Sequence, residues 1–175
     1  MTYGFTVVTY FLPGLRPDDA PQLDGNMNSG ANLVSRAWYS AGLATPILFH
    51  ALAFAGLIHQ DYLRCSQIYP NAPQALSHKL IVFRRLNEVI GDGSEFSSSD
   101  EVILAILILA SHETLKVTEE KRKPFNSPLK RVQWLNVYGN IAYVPEHRKA
   151  VLDLLNIRGG LEALRLPGLA ETIVE

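Results

Sequence analysis

Apolar residues recur at helical spacing along much of the chain, and the clearest two segments predict long helices. The segment 46–64 starts with Thr45 as a helix N-cap and Pro46 at the first helical position, where the missing N–H has no partner to lose. Its first four turns are apolar almost all round, which is typical of a helix with other helices on several sides. The segment 73–91 has apolar residues three and four positions apart, so we expect an amphipathic helix with one buried face.

Two further helices are predicted from their start and stop signals. The nine apolar residues 102–110 fit either a buried strand or a buried helix. Ser98 lies three residues before Glu101, which is the spacing of a capping box and favours a helix that continues to about residue 116. Pro145 opens the last clear helix, 146–158, and the glycine pair after it is a typical helix end.

The remaining segments give weaker patterns. Short helices are predicted over 31–41 and 129–143, and one more helical turn over 161–166. The first 30 residues contain a β-branched and aromatic stretch and then a loop rich in Pro, Gly and Asp, so they predict an extended arm. The predicted fold is all-α: an irregular bundle of about five to seven helices in antiparallel hairpins over 31–175, preceded by the extended arm of 1–30.

The composition narrows the class of protein. The chain has 175 residues, of which 47% are hydrophobic and 19% charged, so disorder along the whole chain is excluded. The formal net charge of −1 provides no overall field to attract nucleic acid. A single cysteine excludes a disulfide framework and a zinc site built on several cysteines, and it fits a reducing compartment. The longest apolar runs fall short of the roughly 20 residues that a membrane-spanning helix needs, so no membrane association is expected.

The five histidines are the first candidates for chemistry, and we interpret them as structural. A helical metal site requires two histidines three or four residues apart on one face, and no pair in the sequence has this spacing. His50 and His59 are nine residues apart, which places them about 180° apart around an ideal helix. His112-Glu113 starts like the zinc motif H-E-x-x-H, but Lys116 stands where the second histidine belongs. No metal and no cofactor are therefore expected.

Other candidate motifs are also weak. Cys65 is a possible nucleophile with His78 or His112 as its base, but a lone cysteine at a helix end is more often a packing residue. The glycines at 91, 93, 159 and 160 follow helices rather than strands, which indicates helix ends and not a phosphate-binding loop. No catalytic residue is assigned.

A short basic cluster, Lys121, Arg122 and Lys123, precedes Pro124 in a polar loop. It fits a nuclear-localisation patch, a phosphate contact or a solvated loop, and the neighbouring Glu119 and Glu120 offset part of its charge.

An ordered set of short motifs resembles the regulatory region, often called the middle homology region, of fungal binuclear zinc-cluster transcription factors. In chain order these motifs are 11–17 (FLPGLRP), 48–57 (LFHALAFAGL), 61–64 (DYLR), 75–79 (ALSHK), 85–88 (RLNE), 99–105 (SDEVILA), 127–129 (SPL), 133–139 (QWLNVYG), 147–148 (HR), Leu154, 158–161 (RGGL) and 166–171 (LPGLAE). They cover most of the chain, and the ending with RGGL and LPGLA is the most specific part.

The resemblance implies a non-enzymatic helical module for regulation and interaction, in a nuclear protein that controls transcription. It implies protein partners, either full-length relatives or the transcription machinery. Members of the family carry a six-cysteine zinc cluster before this region, whereas this chain has one cysteine, so direct DNA binding is not expected of it. Members also continue with further helices, so we expect the chain to be the first half of such a region and to expose an apolar patch where neighbours are missing.

Two other classes of function remain as alternatives. The first is a small-ligand sensor with an apolar pocket between the helix 46–64 and the segment 102–113. The second is a small helical enzyme with Cys65 or a histidine as its reactive group.

Overall fold

The computed structural model describes residues 30–65, 69, 71–93, 95–112 and 144–174. Six α-helices lie within them: α1 (Gly30–Ala44), α2 (Pro46–Cys65), α3 (Pro73–Gly91), α4 (Asp100–His112), α5 (Pro145–Arg158) and α6 (Leu169–Val174). Two short 3-10 turns, Glu95–Ser98 and Leu161–Ala163, precede α4 and follow α5. No strand occurs in these residues, so the predicted all-α irregular bundle is confirmed.

Helix α2 has a central position, as its apolar character predicts. It contacts α1, α3 and α4. Leu48, Ala51, Phe54 and Ala55 lie on it and have no exposed surface at all. Burial of this kind contributes roughly 1.5–3 kcal/mol for each large apolar side chain. The packing of α2 therefore contributes substantially to hydrophobic stabilisation of the described core.

Helix α4 is the most deeply buried helix, and its start differs from the predicted one. Its apolar run is a helix and not a strand, and it packs against α2, α3, α5 and α6. The residue that caps it is Ser99, whose Oγ accepts a hydrogen bond from the N–H of Val102 at 3.4 Å. The predicted capping box on Ser98 and Glu101 is wrong because Ser98 belongs to the preceding 3-10 turn, which moves the start of the helix by one residue.

The glycine pair after α5 ends the helix as expected. Gly159 adopts a φ of 103°, a left-handed conformation that glycine reaches without a steric penalty. The N–H groups of Gly159 and Gly160 both donate to the carbonyl of Leu155, at 3.1 and 2.8 Å. This closes the last turn and directs the chain into the Leu161–Ala163 turn.

The structure agrees with two of the predicted short helical segments and contains one short helix that was not predicted. Helix α1 is present and is a few residues longer than the predicted 31–41. The turn predicted over 161–166 is the 3-10 turn Leu161–Ala163, and α6 after it was not predicted.

Several predictions concern residues that the structure does not describe. They are the extended arm of 1–30, apart from Gly30, the helix 129–143, the continuation of α4 to residue 116, the basic cluster of Lys121, Arg122 and Lys123, and the side chain of Cys65. Within the described ranges, none of the helices combines the length and the apolar character that crossing a membrane requires.

Candidate functional site

Helix α2 carries two histidines, His50 and His59, that make polar contacts with neighbouring helices. The nine-residue spacing of His50 and His59 places their side chains on opposite sides of the helix. His50 meets His78 of α3, and His59 meets His112 of α4. Two of the neighbours of α2 are thus each joined to it by a pair of imidazoles. We name these the surface pair (His50–His78) and the buried pair (His59–His112).

The buried pair is an N–H···N hydrogen bond with a defined direction. The two Nε2 atoms are 3.1 Å apart, and the ring centres are 5.2 Å apart. His112 Nδ1 is 2.9 Å from the carbonyl oxygen of Ile108, which can only accept, so this nitrogen carries the proton. A neutral His112 then has its lone pair on Nε2, and His59 Nε2 donates to it. This hydrogen bond therefore exists only while His112 is uncharged, because protonation of His112 Nε2 removes the acceptor.

Burial keeps both of these rings neutral. His59 is 2% exposed and His112 is not exposed at all. Burial lowers the pKa of His112 from 6.5 to about 4, although its hydrogen bond to the Ile108 carbonyl acts in the opposite direction. Burial and the neighbouring His112 hold the pKa of His59 well below 6.5. Protonation of the pair is therefore opposed by the fold itself.

Ser111 lies beside this pair, but its geometry is the reverse of a catalytic Ser–His dyad. Its Oγ donates to the carbonyl oxygens of Leu107 and Ile108, at 2.9 and 3.1 Å. His112 Nδ1 lies 3.0 Å from the same Oγ and carries a proton, so this nitrogen cannot take one from the serine. Ser111 is also 1% exposed. The contact serves to satisfy buried polar groups.

The surface pair has the same chemistry in different surroundings. His50 Nδ1 and His78 Nδ1 are 2.8 Å apart, and both residues are half-buried. The edge of the His50 ring faces Phe49, with ring centres 5.3 Å apart. The pKa of His50 is lowered by burial and also by the charges of His78 and Arg85. Burial lowers the pKa of His78, so both rings are neutral at pH 7.

The fifth histidine also lies at a contact between helices. The His147 ring of α5 stacks on the Phe83 ring of α3, with ring centres 6.3 Å apart and planes 23° apart. Lys79 Nζ is 5.7 Å from the centre of the Phe83 ring, within the range of a cation–π contact. All five histidines thus lie at contacts with a residue of another helix.

A buried carboxylate joins the start of α4 to the end of the described chain. Asp100 is 5% exposed, and its Oδ2 accepts hydrogen bonds from the N–H groups of Arg165 and Leu166, at 2.6 and 2.7 Å. Arg158 Nη2 forms an ion pair with Oδ1 at 3.2 Å, although the geometry is not that of a hydrogen bond. The positive end of the α4 dipole also favours a carboxylate in its first turn. We call this arrangement the Asp100 junction.

The turn that Asp100 holds is also fixed from the other side, by α1. Trp38 is 1% exposed, and its Nε1–H donates to the carbonyl of Pro167 at 2.8 Å. Gly168 has a φ of 79°, and a Cβ added there would lie 2.8 Å from a methyl carbon of Val34. Only glycine fits both the backbone conformation and the close approach. The turn 164–168 is therefore clamped between α1 and α4.

The histidine pairs and the Asp100 junction are not predicted from the sequence, because spacing along one helix shows only partners on that helix. The described residues hold no group of three or more His, Cys, Asp or Glu side chains that would form an ordinary metal centre. Between α2 and α4, where an apolar ligand pocket was expected, the structure places the buried pair in direct contact. Comparisons with protein-family models, curated proteins and solved structures found no match.

The described surface also carries large apolar side chains. Leu33, Tyr39 and Leu43 of α1 are 56%, 45% and 63% exposed. Helical spacing places Leu33 and Leu43 about 140° from Trp38 around the axis, and Tyr39 about 100° from it. We call this the α1 outer face. At the other end of the described chain, Ile157 of α5 is 71% exposed. Such positions are available for contacts with another protein.

Proposed function

We propose that the chain is a helical regulatory and interaction module of the type found in fungal binuclear zinc-cluster transcription factors. It acts in transcriptional control through contacts with protein partners, without its own DNA-binding cluster. The sequence supports the last point because a binuclear cluster requires six cysteines and the chain contains one.

The Asp100 junction is the observation that carries this proposal. The motif 99–105 lies far along the sequence from two neighbouring motifs, 158–161 and 166–171, on which the resemblance also rests. In the fold they meet: Asp100 from the first motif contacts Arg158 from the second and the N–H of Leu166 from the third. A set of motifs that resembled a family by chance has no reason to converge on one buried carboxylate. The convergence supports a common helical framework.

The α1 outer face supports the interaction part of the proposal. Its three apolar side chains are 45%, 56% and 63% exposed, which is unfavourable unless another surface covers them. A helical face of this kind fits an apolar groove or helix on a partner.

Association with a full-length zinc-cluster factor tests the proposal. The purified chain is mixed with such a factor, and complex formation is measured by sedimentation velocity. We expect a complex that Leu33→Lys with Leu43→Lys abolishes and that the matched control Ile157→Lys retains. Absence of a complex with a panel of such factors would contradict the proposal.

Nuclear localisation is the second part of the proposal that requires a test. A fluorescent fusion of the chain is expected to accumulate in the nucleus of a fungal cell. Replacement of Lys121, Arg122 and Lys123 by alanine is expected to abolish this accumulation if the cluster is the targeting signal. A cytoplasmic signal from the unmodified fusion would contradict it.

A further inference from the structure

The surface pair presents two nitrogen ligands at the separation that a transition-metal ion requires. His50 Nδ1 and His78 Nδ1 are 2.8 Å apart. Two imidazole nitrogens that bind one ion at about 2.0–2.1 Å and at a right angle are about 2.9 Å apart. Right angles between neighbouring ligands are typical of tetragonal Cu²⁺ and Ni²⁺ sites, for which imidazole is a suitable ligand. The helix packing that positions these nitrogens is thus already close to a chelating geometry.

The protonation and the orientation of the two rings are also compatible with binding of a metal ion. Metal binding requires neutral imidazole with a lone pair on each Nδ1, so the ring that donates in the present hydrogen bond binds the ion as the tautomer with its proton on Nε2. The planes of the rings are inclined at 44° and the residues are half-buried, and a rotation of the rings directs both Nδ1 lone pairs toward a common ion. Solvent on the open side supplies water for the remaining coordination positions.

Arg85 is a positive charge close enough to contribute to the lowered pKa of His50. Its Nη1 is 3.0 Å from Glu88 Oε2, and both side chains are about half exposed. The carboxylate and the solvent therefore offset much of the repulsion that Arg85 exerts on a bound cation.

The buried pair lacks these properties. Its Nε2 atoms are 3.1 Å apart, but His112 has no exposed surface and a cation placed there loses its water without gaining a negative ligand. Of the two pairs, only the surface pair has ligands at chelating distance together with access for the ion and for water.

We propose that His50 and His78 form a two-histidine chelate for a late first-row divalent cation, Cu²⁺ or Ni²⁺, which bridges α2 and α3. The protein supplies two cis nitrogen ligands and water completes the coordination. The bound ion replaces the hydrogen bond between the rings as the link between these helices. This proposal does not depend on the proposed function.

Titration of the full chain, prepared without a polyhistidine tag, tests the proposal. Ni²⁺ is added at pH 7.5, and binding is followed by calorimetry and by the melting temperature. We expect one equivalent to bind and the melting temperature to rise, because the ion binds the folded form preferentially. His50→Gln and His78→Gln are each expected to weaken binding at least tenfold, whereas the matched control His147→Gln retains it.

A second measurement keeps the test independent of whether the variants fold. The Cu²⁺ complex of the unmodified chain is examined by electron paramagnetic resonance, which is expected to show two equivalent nitrogen ligands. The proposal is overturned if no ion binds, or if Cu²⁺ has nitrogen ligands other than two imidazoles. It is also overturned if both glutamine variants bind the ion as tightly as the unmodified chain does, because that result indicates an adventitious ion only.

Discussion

The buried pair and the surface pair join the same helix to two different neighbours, and they differ mainly in their access to water. In each pair, two imidazole nitrogens meet at about hydrogen-bond distance, 3.1 Å in the first and 2.8 Å in the second. Burial lowers the pKa of His112 to about 4, and in the half-buried surface pair each pKa is also lowered. The same chemical contact therefore acts as an acid-sensitive internal link at one site and as an accessible ligand set at the other.

The Asp100 junction provides the reference for a buried polar contact that contains no imidazole. Asp100→Ala removes the partner of two backbone N–H groups and of Arg158, so we expect the free energy of unfolding to fall by about 3–5 kcal/mol. Chemical denaturation at pH 7 measures this. The loss of stability between pH 7 and pH 5 is expected to remain in the variant, because all five histidines are still present. If the stability of the Asp100→Ala variant does not fall between pH 7 and pH 5, the histidines are not the source of the acid sensitivity.

Acid is expected to destabilise the fold through the buried pair. A histidine whose folded pKa lies below its unfolded value contributes full stability above pH 6.5, and this stability is lost as the pH falls toward the folded pKa. For His112, the interval from 6.5 to about 4 corresponds to about 3 kcal/mol. Denaturation curves at half-unit intervals from pH 7.5 to pH 4.5 are expected to show this decline. A free energy of unfolding that stays constant down to pH 4.5 would contradict the lowered pKa of His112.

Replacement of one ring of the buried pair is expected to lower the free energy of unfolding by less than Asp100→Ala does. His59→Leu and His112→Leu each leave a buried nitrogen without its partner, which costs about 1–3 kcal/mol at pH 7. The double variant is expected to recover part of this loss, because no unpaired nitrogen remains at that contact. A double-mutant cycle by denaturation measures the coupling, and strictly additive losses would show that the rings do not act as a pair.

The surface pair is expected to contribute least to stability. His50→Ala or His78→Ala should lower the free energy of unfolding by less than about 1 kcal/mol in metal-free buffer, because water replaces the lost hydrogen bond at a half-exposed position. The same denaturation experiment measures it. A loss as large as that of the buried-pair variants would remove the distinction between the two sites.

The sequence predicts the helices of this fold well because their signals are local. The all-round apolar character of 46–64 predicts a central helix, and α2 indeed contacts three others. Pro46, Pro145 and the glycines at 159 and 160 mark helix ends through their own backbone preferences. The one-residue error at the start of α4 arose because two adjacent serines offer the same cap, and the preceding 3-10 turn decides between them.

The candidate site is less predictable because each of its contacts joins distant parts of the chain. The 180° separation of His50 and His59 follows from their spacing, but the identity of their partners on α3 and α4 does not. From the sequence, Asp100 is predicted only to be a favourable charge in the first turn of a helix. Its hydrogen bonds from the N–H groups of Arg165 and Leu166 depend on how the chain after α5 packs against α4. Such contacts depend on the tertiary arrangement, which local propensity does not contain.

Titration of the individual imidazoles by NMR tests the central claim most directly. The nitrogen and carbon shifts of all five histidines are followed from pH 8 downward in the metal-free chain. The account predicts that His112 and His59 remain neutral until the chain approaches unfolding, with His112 near pH 4, while His50 and His78 titrate below 6.5 but before the buried pair. Titration of all four rings together near pH 6.5 in the folded chain would contradict it.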